Sequence, residues 1–104
     1  MKRAPCFRYV TGTIIVRPEA LPALCDALDV LATHAHRHEP GTRLCAWFQD
    51  HADPTRILRV GVFDDERAER IHADSPPAHR LARLLESVAI QAPAVRAWTP
   101  IAGI

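Results

Sequence analysis

Apolar residues along the chain switch repeatedly between a two-residue and a helical period, and those switches mark out the elements. In FRYVTGTIIVRP, Phe7 to Pro18, β-branched and aromatic residues occupy both alternating faces, as in a strand with neither side fully in water. From Glu19 onward Leu21, Leu24, Cys25, Leu28, Leu31, Ala32 and Ala35 recur at helical spacing, with Pro22 tolerated in the first turn. Pro40 and Gly41 in HEPGTR end that helix. RLCAWFQD and RILRVGVF then alternate as strands, and HADPT between them reads as the turn of an antiparallel hairpin.

Asp64 or Asp65 can cap a short helix whose acidic first turn suits the helix dipole and on which Ala68, Ile71 and His72 share a face. Ser75 followed by Pro76 is a restart signal, an N-cap and a first-turn proline, and Leu81, Leu84, Leu85 and Val88 continue as one stripe. After Pro93, AVRAWTPIAGI alternates as a last strand. The order strand, helix, strand, strand, broken helix, strand predicts an α+β, ferredoxin-like βαββαβ domain: an antiparallel sheet with helices on one face.

The uncovered face of such a sheet is the unusual part. Thr11, Thr13 and Ile15 alternate with Gly12, Ile14 and Val16, and both sets contain apolar groups. A second copy of the chain is the simplest cover, so a homodimer is expected.

Composition narrows the function classes. The 104 residues form one domain, 1–104, close to the lower size limit for a self-sufficient core. A net charge of +1 gives no electrostatic case for nucleic acid or an anionic membrane. Cys6, Cys25 and Cys45 are odd in number and widely spaced, which suits a reducing cytoplasm. No apolar run has the length of a signal sequence or a membrane span.

Several ordered features resemble the antibiotic biosynthesis monooxygenase family, a branch of the dimeric α+β barrel proteins. They are IIVRPEALPALCDAL entering the first helix, the Glu39-Pro40-Gly41 turn that ends it, and the series Phe63, Asp64, Asp65, Ala68, His72, Ser75, Pro76. The resemblance runs from about Val10 to Pro100. It implies a cofactor-independent monooxygenase that oxidises an aromatic, polyketide-like phenol with dioxygen, working as a dimeric barrel. The chain departs from the family in having Phe63 where tryptophan is frequent and Gly61 where glutamate is frequent. In the haem-degrading branch an asparagine, a tryptophan and a histidine act together; the matching positions here are Gly12, Phe63 and His72, so only the histidine is kept. The alternatives are a non-oxidative small-ligand binder or isomerase on the same barrel, or a haem-binding relative using His72.

Under that resemblance His72 is the candidate catalytic base, since imidazole titrates near neutral pH; otherwise it packs on the apolar side of its helix. Arg59, Gly61 and Phe63 alternate onto one face of their strand, as do Gly12 and Ile14 on the first. If that face lines the barrel, the glycines leave room for a flat ligand, Phe63 offers an aromatic wall, and Arg59 either holds an anionic oxygen or pairs with an acid of the partner chain. Trp47 and Phe48 must point to opposite sides of the sheet, and Trp47 is a second candidate wall. His34, His36 and His38 do not share one helix face, and no metal is expected.

Overall fold

The alternating N-terminal segment forms strand β1 (Arg8–Ile15) in the computed structural model, which describes residues 7–103. A 3-10 turn at Pro18–Ala20 leads into helix α1 (Leu21–His38), and each piece carries its proline in the first turn, where an N–H is not needed. Strands β2 (Thr42–Gln49) and β3 (Arg56–Phe63) form the expected antiparallel hairpin. Helices α2 (Glu66–Ala73) and α3 (Pro76–Val88) follow, then strand β4 (Ala94–Trp98). The sheet order is β2-β3-β1-β4 with every neighbour antiparallel, so the fold is α+β and ferredoxin-like. Cys6 lies outside the described residues.

Local chemistry sets the break between α2 and α3. Asp65, not Asp64, caps α2, its carboxylate accepting from the Ala68 N–H at 2.8 Å. Asp64 instead pairs with Arg43, which sits at a bulge in β2. The Ser75 hydroxyl accepts from Ala78 N–H at 3.3 Å and donates to the His72 carbonyl at 2.8 Å, so one side chain starts α3 and finishes α2.

The helices cover the sheet face that carries Val10, Gly12 and Ile14 of β1 and Ile57, Gly61 and Phe63 of β3. Ile14, Val16, Ile57, Leu24, Leu31 and Leu81 make the main core, and Val10, Phe63 and Ala68 a smaller one. Cys25, expected on the helical core stripe, is exposed. Leu24 is the residue turned fully inward, and the next position on a helix lies about 100° further round.

The opposite face is apolar and open. Leu44, Phe48, Leu58 and Trp98 are exposed there, and the register sets Leu44 and Phe48 beside Val62 and Leu58, with Tyr9 between Val62 and Trp98. Trp98 Nε1 donates to the Thr11 hydroxyl at 2.6 Å, which holds the indole over the face. Among the described residues no helix is long and apolar enough to cross a membrane.

Candidate functional site

A cavity of about 440 Å³ lies between the covered sheet face and the helices. Gly12, Trp47 and Arg59 line it from the sheet, His72 from α2, and Leu81 and Leu85 from α3. That volume suits a small organic ligand.

The placement of His72 follows from two close approaches. Ala68 and His72 are one turn apart and are the two buried residues of α2. The turn after α1 presses directly on Ala68: a Cβ on Gly41 would stand 2.7 Å from the Ala68 Cβ, and Asp64 N–H donates to the Gly41 carbonyl at 2.8 Å. Only glycine permits this approach, and it carries Glu39, two residues earlier, against the His72 ring.

The resulting contact is the centre of the site. His72 Nδ1 is 2.6 Å from Glu39 Oε1, and each side chain is only 4% exposed. The Thr42 hydroxyl donates to the same carboxylate oxygen at 2.9 Å. Glu39 Oε2 is buried without a hydrogen bond, although His34 Nε2 stands 3.4 Å away within ion-pair range. A carboxylate can only accept, so the Nδ1 position carries the proton, and Nε2 is left as the ring nitrogen without a protein partner among the described residues. A histidine oriented in this way by a carboxylate can take a proton at Nε2 and disperse the resulting charge through Glu39.

Phe63 and Gly61 sit behind the cavity wall, which differs from the sequence expectation. The Phe63 ring is fully buried and tilts against His72 with 5.3 Å between ring centres. A Cβ on Gly61 would stand 2.9 Å from Phe63 Cε2, so the space left by that glycine is filled by Phe63 and none remains for a ligand. Phe63 therefore supports the His72 ring from behind. Gly12 does line the cavity, and so does Trp47, which makes Trp47 the inward aromatic and Phe48 the outward one.

Arg59 also faces the cavity, with its guanidinium 6.0 Å from the Phe63 ring centre and no carboxylate within ion-pair distance among the described residues. It lies on the helix side of the sheet, away from the open face. Cys45, two residues before Trp47, has its thiol pKa pushed up by burial, against the opposing influence of the Trp47 N–H and the Arg59 charge. His34 and His38 stack with 5.0 Å between rings, and among the described residues no group of three or more metal-ligating side chains is placed to hold an ion.

Glu39 is the candidate site residue that sequence reasoning passed over as part of a turn. One signal was available: an acid directly after a helix C-terminus opposes the dipole and asks for a compensating partner. The sequence pattern could not say that the partner lay 33 residues away.

A family model described as antibiotic biosynthesis monooxygenase matches residues 8–84, most of the chain. The chain belongs to the antibiotic biosynthesis monooxygenase family. The match takes in Gly12, Glu39, Trp47, Arg59 and His72 and stops before β4. A solved structure titled antibiotic biosynthesis monooxygenase superposes with a TM-score of 0.82 at 22% identity, covering 91% of this chain and 99% of its own. A Pseudomonas aeruginosa structure gives 0.83 at 21% identity, covering 97% and 100%. A Mycobacterium tuberculosis structure gives 0.82 at 21%, covering 93% and 97%. At these identities the likeness concerns the fold. A search of curated proteins finds no match.

Proposed function

We propose that the chain is a cofactor-independent monooxygenase that oxidises an aromatic phenol of the hydroxyanthrone type with dioxygen. The observation that carries this reading is the His72–Glu39 pair at the wall of an apolar cavity. In the proposed reaction the substrate lies in the cavity against Trp47, and His72 Nε2 accepts its acidic proton. The anion is electron-rich and reacts with dioxygen; a ring CH₂ becomes C=O, one oxygen atom staying in the product and the other leaving as water with the two hydrogens. The protein contributes orientation, proton transfer and partial exclusion of water, all of which a partly enclosed apolar site favours.

The test is turnover of a hydroxyanthrone under air and under argon, with heat-denatured protein correcting for spontaneous oxidation. Conversion to the quinone is expected only under air, with one atom of labelled dioxygen in the product. Undiminished turnover under argon rules out an oxygenase and favours a non-oxidative reaction on the same barrel.

The reading includes a homodimer closed across the open sheet face, supported by the contiguous apolar surface around Phe48, Leu58 and Trp98. Sedimentation at micromolar concentration is expected to give a dimer, and Leu58→Glu, which sets a charge in the middle of that face, to give a monomer. A wild-type monomer at that concentration defeats this part of the reading.

A further inference from the structure

The monooxygenase reading assigns no task to the positive charge of the cavity. Three charged side chains reach its lining: Arg59 from β3, and Glu69 and Arg70 from α2. Glu69 is already held by Arg8, whose Nε donates to its carboxylate at 3.0 Å. Arg59 and Arg70 have no carboxylate within ion-pair distance among the described residues. A guanidinium stays charged in a protein; Arg70 is exposed to water, whereas Arg59 is half-buried and so partly withdrawn from it.

Arg59 is the better placed of the two. It occupies the inner face of β3, with Trp47 opposite it on β2 and Gly12 opposite it on β1. The Arg59 stem runs alongside Gly12, where a Cβ would stand in ordinary contact at 3.7 Å from the Arg59 Cβ and 3.8 Å from its Cδ. The Trp47 Nε1–H is buried beside the Cys45 thiol and does not open into the cavity, so Trp47 contributes an apolar ring to the wall. The neighbouring Cys45 thiol supplies no counter-charge, since burial holds it in the neutral form. Glu39 is committed to His72 and Thr42. The polar side of the cavity thus offers the positive charge of Arg59, and Ile14, Leu81 and Leu85 give the rest an apolar character.

We infer that this cavity selects a ligand with a flat apolar body and a carboxylate, the carboxylate pairing with Arg59. A planar guanidinium fork matches a carboxylate in a way a neutral amide or hydroxyl does not. The inference rests on the reading above only in placing the substrate in this cavity; it adds that the natural substrate carries an acid group besides its phenol.

The experiment measures binding without turnover, by anaerobic calorimetry with 2-naphthoate and its neutral counterpart 2-naphthamide. Naphthoate is expected to bind at least about tenfold more tightly in the wild type, as for a charge-assisted pair in a partly enclosed site. Arg59→Met is expected to remove that preference while leaving the amide affinity within about twofold, and Arg59→Lys to keep part of it. Equal affinities in the wild type, no binding of either compound, or a full preference surviving in Arg59→Met overturns the inference. The wild-type comparison decides even if a variant does not fold. Preference for naphthoate together with oxygen-independent anthrone turnover would sink the oxygenase reading alone, and the reverse pair of results would sink only the carboxylate.

Discussion

Replacing Glu39 with alanine is expected to destabilise the domain by about 2–4 kcal/mol, the cost of leaving buried donors without their charged acceptor and of opening a void. Three losses coincide. The His72 Nδ1–H loses its acceptor at 2.6 Å, the Thr42 hydroxyl loses its acceptor at 2.9 Å, and a fully enclosed side chain leaves a void. For a domain of this size that is a large share of all the stability available. Glu39→Gln keeps the volume, and its amide oxygen can still accept from one of the two donors, so a loss of about 1 kcal/mol is expected. Urea unfolding of the two variants beside the wild type reads both numbers. If alanine costs no more than glutamine, Glu39 is a solvated turn residue and the buried contact with His72 is not present in solution.

His72→Gln is expected to lower hydroxyanthrone turnover by roughly 10²–10⁴-fold, the range for losing a general base. Glutamine retains an N–H for Glu39 and some bulk against Phe63, but it has no nitrogen that accepts a proton near neutral pH. Its stability is therefore expected to fall far less than that of Glu39→Ala, and its KM to change little, because the apolar walls that hold the ring are untouched. A turnover number within a fewfold of the wild type, in a protein shown to be folded, would remove His72 from the chemistry and leave it a packed histidine.

These two residues also show where local pattern stops being informative. The element order, the cap at Ser75, an acidic cap at Asp64 or Asp65, the Pro-Gly turn and the hairpin were all legible, because each depends on residues within a few positions of one another. The resemblance to the family was legible for the same reason, as an ordered set of such short features. His72 was identified from that frame, whereas its partner was not. An acid at the end of α1 asks for a partner, but nothing close to Glu39 in sequence says that the partner lies on a helix 33 residues on.

The sheet gives a second instance. Alternation placed Arg59, Gly61 and Phe63 on one face and separated Trp47 from Phe48, all of which the strands obey. It could not rank those side chains by depth. Phe63 folds into the space above Gly61 and passes behind the cavity wall, while Trp47 and Arg59 come forward to line it. Depth is set by which neighbour lacks a side chain, a property of two positions considered together. Cys25 makes the same point on α1, where a stripe one residue too wide included a position that faces out.

The sequence by itself determined the α+β order, the break between the second and third helices, an apolar surface on both sides of the first strand and the position of the candidate base. Periodicity, capping and turn chemistry act over one or two turns of chain, so they are written locally. Only the tertiary structure decided that Glu39 contacts His72, that Phe63 packs on that ring behind the cavity wall, and that Arg59 lines the cavity with no carboxylate in reach among the described residues. Each of those depends on how closely separate elements approach, and that distance is fixed by the packing of the whole domain.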